Sequence, residues 1–318
     1  MKKPATKQPA VTAALSAEAL MGKSQAYIGR ALTAKAAGSM GDYQLWASLA
    51  LELVGKAALA KIHPCLVADP NSSTSLFAAA GMNVGTDIKT IIAKTLFDRL
   101  SHVSKRFDKK SQEFCTNMSL KRNAELHSGE APFEGAVAAS WEGRYWHTAE
   151  MILEAGGSSI ESWLGADKAK APKQLLAEYN HATAEAAKIR VETAAEAFAG
   201  RPRKDREEAH ARAAAIEIWN MRRSFRLVAD HLWAAVCPAC KSRAFLAGVK
   251  YNEEASEDEA EWPDEEMVDV FFVAEEFLCP SCGLHLDSRE AIEAVGLEVE
   301  TVQAEARQRE YEPDYGND

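Results

Sequence analysis

The sequence lacks the long apolar segments of a membrane protein, and a secretory leader is not expected from its first residues. Among its 318 residues, the best apolar stretch, residues 45–60, is interrupted by Glu52 and Lys56. No spanning helix of about 18 uncharged residues is therefore expected. The first apolar run follows Pro9, is short and meets Glu18, which is not typical of a signal peptide. We expect a cytoplasmic protein with no membrane partner.

Several common catalytic motifs are also lacking. Residues 81–86 contain two glycines but not the Gly-Lys-Ser/Thr ending of a phosphate-binding loop, so hydrolysis of a nucleoside triphosphate is not supported. The chain has neither a Gly-x-Ser-x-Gly nucleophile elbow nor a His-Glu-x-x-His zinc motif. Any chemistry must therefore come from a different arrangement of residues.

The excess of negative over positive charge lies in the last part of the chain. Residues 1–236 carry 31 Lys/Arg and 25 Asp/Glu, whereas residues 237–318 carry 6 and 22, so a net charge of −10 combines +6 with −16. Residues 251–278 hold twelve acidic side chains and no Lys or Arg, and that surface would repel a phosphate backbone. A nucleic acid is therefore expected to bind the first part. The acidic run is interpreted as a solvated loop, with a surface for a basic protein partner as the alternative.

Hydrophobic periodicity predicts a mainly α protein with a helical bundle, long helices and a small β-containing zinc ribbon. Helices are expected at residues 17–37, 42–62, 86–107, 108–127 and 133–154, with a loop at 64–85. Next come two long helices with a break at 200–202. They are followed by β-prone runs at 244–250 and 267–278. The expected parts are a flexible arm (1–15), the bundle (16–160), a helical spacer or interface (161–235), the zinc ribbon with its acidic insertion (236–300) and an acidic tail (301–318).

Four of the six cysteines have the spacing of a metal site. Cys237 and Cys240, and later Cys279 and Cys282, are each separated by two residues, so both thiolates of a pair can reach one tetrahedral ion. The gap between the pairs is longer than the usual spacing of about 15–20 residues, and the acidic insertion accounts for the excess. We expect a structural Zn²⁺, because four thiolates leave no open position for catalysis. Two unrelated thiol pairs are the alternative.

A second cluster of chemistry-bearing residues is Arg122, Asn123 and His127, on the last turns of a helix that Gly129 is expected to end with a left-handed cap. A guanidinium can hold a phosphate, and an imidazole can take a proton from a ribose 2′-OH or give one to the leaving 5′-oxygen. Arg122 and His127 point about 140° apart on a helix, while Asn123 and His127 share a face. One site therefore needs a distorted helix end or a second copy of the chain. A surface arginine and a helix-capping histidine are the alternative.

The pair Glu52 and Lys56, followed later by Arg122-Asn123-x-x-x-His127, resembles the two signatures of the HEPN domain family. The resemblance covers roughly residues 40–155 and implies a bundle of four or five helices. Glu52 and Lys56 also fit a simple ion pair between residues four apart on a helix.

The resemblance implies a homodimer with its motif helices face to face and a metal-independent endoribonuclease that leaves a 2′,3′-cyclic phosphate. Arg122 would stabilise the phosphate, His127 would transfer the proton, Asn123 would orient them, and Glu52 and Lys56 would support the site. A toxin or anti-phage effector is the setting that it implies. The alternative is a non-catalytic module that binds nucleotide or protein and assembles a complex through its zinc ribbon.

Two arginine-rich stretches have the composition of a nucleic-acid contact. They are residues 201–206 and the trio Arg222, Arg223 and Arg226, for which a solvated helix face is the alternative. The aromatic residues at 141, 145 and 146 have helical spacing and are expected in the core rather than on a base-stacking surface.

Overall fold

The computed structural model describes residues 12–135, 137–258 and 260–309, and the chain divides into two units, Met1–His181 and Ala182–Asp318. The α-helices of the described residues are α1 Ala17–Ala36, α2 Met40–Ile62, α3 Ser73–Ala79, α4 Ala93–Val103, α5 Lys109–His127, α6 Glu142–Ala155, α7 Ile160–Leu164, α8 Ala166–Ala199, α9 Arg203–Ala215 and α10 Arg289–Ala294. The strands are β1 His231–Val236, β2 Arg243–Ala255, β3 Glu265–Leu278, β4 His285–Leu286 and β5 Glu300–Gln308.

The first unit is a helical bundle with α2 at its centre, in contact with α1, α4, α5 and α6. Most residues of α2 between positions 43 and 60 are buried, and most of the buried ones are small or aliphatic. This pattern is typical of a helix that is buried on nearly all sides. Gly55 lets α4 pack closely, because a Cβ there would lie 3.2 Å from Leu100 and 3.3 Å from Leu96. The predicted aromatic core is confirmed, since Trp141, Tyr145 and Trp146 are buried.

Local signals locate several helix ends correctly. Helices α1 and α5 match the predicted segments to within one residue. Asp108 caps α5, because its carboxylate accepts the N–H of Ser111 at 2.7 Å. Helix α2 starts two residues earlier than predicted, and its N-cap residue is Ser39. Asp42, the first residue of the predicted helix, could have capped a helix that began there but lies in its first turn instead. The hydroxyl of Ser39 instead donates to the carboxylate of Asp42 at 2.8 Å.

The helix predicted from residue 86 is wrong over its first two turns, since α4 begins only at Ala93. Thr90 forms an isolated β-bridge with Ala68, so this segment is paired with the chain before α3. The three isoleucines between residues 88 and 92 have helical spacing, but β-branched side chains also suit an extended backbone. Helix α6 likewise begins at Glu142, later than the predicted residue 133.

The second unit contains a five-stranded antiparallel sheet. Strand β2 pairs with β1 and β3, and the other edge of β3 pairs with β5 and then β4. The β2–β3 register shifts between Ala247 and Gly248. A Cβ on Gly248 would collide with the carbonyl oxygen of Val273 and lie 2.7 Å from the ring of Trp233, so the backbones approach as closely as only glycine allows.

The expectation of a mainly α protein is wrong, because the chain is mixed. Strands β2 and β3 are 13 and 14 residues long, and the acidic run predicted as a loop lies largely within them. Strand β5 occupies residues 300–308, most of which were expected to belong to an acidic tail. Charged side chains occupy consecutive positions in β2 and β3, at residues 253–254, 265–266 and 275–276, and so interrupt the apolar alternation that identifies a strand in sequence. Backbone pairing with neighbouring strands stabilises these segments.

Candidate active site and metal centre

The four knuckle cysteines come together, as predicted. Cys237 and Cys240 lie between β1 and β2, and Cys279 and Cys282 lie between β3 and β4. Their Sγ atoms all lie within 4.8 Å of one another, with 3.6 Å between Cys237 and Cys282 and 3.5 Å between Cys240 and Cys279. None of the four forms a disulfide. The side chains therefore make a compact set of sulfur donors.

The two turns that carry the cysteines have the same backbone design. In each turn, the N–H of the first cysteine donates to the carbonyl five residues later at 2.9 Å. The residue after the second cysteine has a positive φ, 61° at Lys241 and 81° at Gly283. Glycine adopts this conformation without strain, whereas lysine does so at a cost. The sequence contains no signal for the unusual backbone of Lys241.

These sulfur distances fit one tetrahedral metal ion. A metal–sulfur bond of about 2.3 Å places tetrahedral sulfurs about 3.8 Å apart, close to the observed spacing. Hydrogen bonds from Cys237 and Cys282 lower the pKa of Cys279, while burial and the contacts among the four sulfurs raise the pKa of Cys237, Cys240 and Cys282. The set can hold a metal without a large rearrangement, and four sulfur ligands leave no position for a substrate.

A serine pair that sequence reasoning missed supports the two turns. The hydroxyls of Ser242 and Ser281 lie 2.6 Å apart, and Ser281 also donates to the carbonyl of Ala209 in α9 at 3.1 Å. Arg201 donates to the carbonyl of Ser281 at 2.8 Å. These contacts link both cysteine turns to each other and to α9. Arg201, the first arginine of the 201–206 stretch, is therefore already bound within the protein.

The structure brings together Glu52, Lys56 and Arg122, on α2 and α5. The carboxylate of Glu52 accepts from Lys56 Nζ at 2.8 Å and from Arg122 Nη2 at 2.7 Å, one cation on each oxygen. Lys56 also donates to Thr90 Oγ1 at 3.1 Å, and Arg122 donates to Ser119 Oγ at 3.3 Å. Thr90 and Ser119 were not predicted as part of this cluster. Spacing on α5 would have indicated Ser119, which lies three residues before Arg122.

The cluster has one more positive than negative charge. Burial raises the pKa of Glu52, but Lys56 and Arg122 lower it by more, so the pKa lies below its usual value and the group is a carboxylate. The three side chains are 10–15% exposed. Arg122 Nε is buried and has no hydrogen-bond partner among the described residues. An anion beside the exposed part of these side chains would balance the charge.

Asn123 and His127 are exposed and lie outside this cluster. His127 is the last residue of α5 and makes no hydrogen bond or ion pair with any residue that the structure describes. On a regular helix, Arg122 and His127 are about 7.5 Å apart along the axis and about 140° apart around it. The predicted left-handed cap at Gly129 is wrong, because Ser128 caps the helix in an extended conformation. One chain therefore does not bring the guanidinium and the imidazole together.

No protein-family model matches this chain, and neither does any curated protein or solved structure. The likeness to HEPN domains consists of the two motifs and their order in the chain. Within the described ranges, no helix has the length and apolar character needed to cross a membrane.

Proposed function

We propose that this protein is a HEPN-type, metal-independent endoribonuclease that acts as a homodimer. The observation that carries the proposal is the Glu52–Lys56–Arg122 cluster, which has an excess positive charge and whose Arg122 lies on the same helix as the exposed His127. A positively charged cluster with a partly exposed guanidinium suits a phosphodiester, and a solvent-accessible imidazole suits proton transfer.

In this mechanism Glu52 fixes the Arg122 guanidinium through Nη2, so that its other N–H groups face the phosphate. An imidazole of His127 accepts the proton of the ribose 2′-OH while the 2′-oxygen attacks phosphorus. The bond from phosphorus to the 5′-oxygen breaks, and the His127 imidazolium gives its proton to that leaving oxygen. The products are a 2′,3′-cyclic phosphate and a 5′-hydroxyl end. Asn123, four residues before His127 and on the same face of α5, orients the imidazole.

A second copy of the chain completes the site in this proposal, because Arg122 and His127 of one copy point apart. Two leucines on α5 close to the motif are largely exposed, Leu120 at 60% and Leu126 at 48%. Burying such side chains between two copies is favourable, and a two-fold axis would set the two α5 helices side by side. His127 of each copy then faces the arginine of the other.

The metal in the cysteine cluster is proposed to be Zn²⁺ with a structural role. Zn²⁺ prefers tetrahedral thiolate ligands, and the four sulfurs supply all of them. The ion would join the β1–β2 turn to the β3–β4 turn, and no step of RNA cleavage uses it.

Cleavage of a single-stranded RNA by the purified full-length protein tests the proposal. His127→Ala is expected to lower the rate at least about 100-fold, the usual contribution of a general acid or base. His102→Ala is the matched control, because His102 is another exposed histidine in the last turn of a helix, and it is expected to keep full activity. Equal rates for wild type and His127→Ala would refute the mechanism. Tight binding of RNA that stays intact would instead identify the non-catalytic module.

Expression in bacteria tests the toxin or anti-phage setting. Wild-type protein is expected to arrest growth and His127→Ala is not, whereas equal growth of the two strains would contradict a toxic ribonuclease.

A further inference from the structure

Two arginines of the second stretch, Arg223 and Arg226, are free to bind a ligand, whereas the third, Arg222, donates to the carbonyl of Ala229 at 2.7 Å. In residues 201–206, Arg201 is bound to Ser281, and Arg203 and Lys204 pair with glutamates of α9. In the later trio, Arg223 and the side chain of Arg226 make no hydrogen bond or ion pair within the described part of the chain. Both are exposed, so two full positive charges face solvent.

These arginines lie on a rigid segment, residues 216–229. Its inner side chains, Met221, Phe225 and Ala229, are buried against Phe245 of β2. The carboxylate of Glu276 accepts the backbone N–H groups of residues 226 and 227 at 2.9–3.2 Å. The backbone that carries the outer side chains is therefore held in place before a ligand arrives, which reduces the entropy cost of binding.

The outer face of the segment also carries an exposed aromatic ring. Trp219 is 67% exposed and Val228 is 91% exposed. Residues 218–224 form a 3-10 helix with Met221 on its buried side, so Trp219 and Arg223, each two residues from Met221, both lie on the outer half of the helix. No acidic residue occurs from 218 to 229, although the unit is rich in acidic residues elsewhere.

We propose that Trp219, Arg223 and Arg226 form a second binding surface for single-stranded RNA, in addition to the cleavage site on α5. Exposed aromatic rings that stack on bases, combined with arginines that contact phosphates, are the two components of single-strand recognition. We name RNA as the ligand of this surface because the inference rests on the proposed ribonuclease function. The surrounding carboxylates would repel a strand from the rest of this unit, which directs the strand to the arginine segment.

Binding of a fluorescently labelled single-stranded RNA tests the surface. The RNA carries 2′-O-methyl groups, so it cannot be cleaved, and its anisotropy is measured with the full-length protein over a range of salt concentrations. Trp219→Ala is expected to weaken binding about 10-fold, from the loss of one stacked base. Trp219→Phe keeps an aromatic face and is expected to retain most of the affinity. Arg223→Glu with Arg226→Glu is expected to reduce the slope of log K against log salt by about 1.4, the value for two lost phosphate contacts.

Matched controls come from the same unit. Trp262→Ala removes another exposed tryptophan, and Lys188→Glu with Lys204→Glu makes the same change of charge elsewhere. Both controls are expected to bind like wild type. The inference would be overturned if Trp219→Ala kept the affinity of wild type, or if Trp262→Ala lost as much affinity as Trp219→Ala. It would also be overturned if an acidic peptide displaced the labelled RNA at a lower concentration than unlabelled RNA does.

The outcome is separable from that of the proposed function. Loss of binding in Trp219→Ala supports the surface even if no RNA is cleaved in the companion assay. Cleavage that depends on His127, together with unchanged binding in Trp219→Ala, removes the second surface and leaves the ribonuclease.

Discussion

Replacing Glu52 with glutamine tests the charge cluster most directly. The substitution keeps the shape of the side chain and removes the negative charge that Lys56 and Arg122 share. All three side chains are at most 15% exposed, so the two cations would lose their partner in a place where water cannot fully replace it. Breaking a buried ion pair in this way costs about 3–5 kcal/mol. We expect a decrease of about 3 kcal/mol in the free energy of unfolding at pH 7.

The effect should depend on pH with a definite sign. The pKa of Glu52 is lowered in the folded protein, so its ionisation stabilises the fold at pH values above the unfolded pKa of about 4.5. That stabilisation is lost as the pH falls through the folded pKa, because the wild-type carboxyl then becomes neutral like the amide. The difference between wild type and Glu52→Gln is therefore expected to shrink below about pH 4.5.

Urea unfolding, followed by far-ultraviolet circular dichroism at pH 7 and at pH 3.5, measures both quantities. Glu154→Gln is the matched control, since Glu154 also pairs with an arginine, Arg106, but both side chains are at least 40% exposed. An exposed pair contributes about 0–1 kcal/mol, so this variant should stay within that range. A loss below about 0.5 kcal/mol for Glu52→Gln at pH 7, or the same loss at both pH values, would refute the reasoning.

Three other outcomes are expected. Full-length protein should contain one Zn²⁺, measured by mass spectrometry of metals. Cys279→Ser should lose the ion and unfold more readily, whereas the control Cys115→Ser should keep it. Equal metal content in both variants would contradict the four-cysteine site. RNA cleavage should need no added Mg²⁺ and should survive EDTA at concentrations that leave the cysteine site loaded, and a requirement for Mg²⁺ would count against the mechanism. Gly248→Ala should lower the free energy of unfolding in urea by about 1–3 kcal/mol, because the added Cβ has no room beside Trp233. Gly22→Ala, in open space on α1, is the control and should be neutral or stabilising. Equal effects of the two substitutions would refute the packing argument.

Features that depend on neighbouring residues were predictable. Helix α5 begins after Asp108 because a side chain three residues away provides the missing acceptor, and this signal is visible in sequence. The pairing of Glu52 with Lys56 follows from their spacing on one helix. The spacing within each cysteine pair likewise identified the four sulfur donors.

Features that depend on distant parts of the chain were missed. The edges of β3 are covered by β2 on one side and by β5 on the other, and these pairings extend strands into residues that seemed too acidic for a sheet. The N-terminal part of the predicted helix at residue 86 became extended because Thr90 pairs with Ala68. Local propensity does not predict the secondary structure of these segments, because their hydrogen-bond partners lie far away in the sequence.

Spacing along the chain was enough to predict the start of α5, the Glu52–Lys56 ion pair and the two sulfur pairs. The packing of helices and strands, by contrast, brings Arg122 to Glu52, leaves His127 exposed, and leaves Arg223 without a partner among the described residues while Arg201 is bound to Ser281. The physical reason is that spacing along a helix or turn sets which side chains can meet locally. The burial and charge of a group depend on which other elements pack against it.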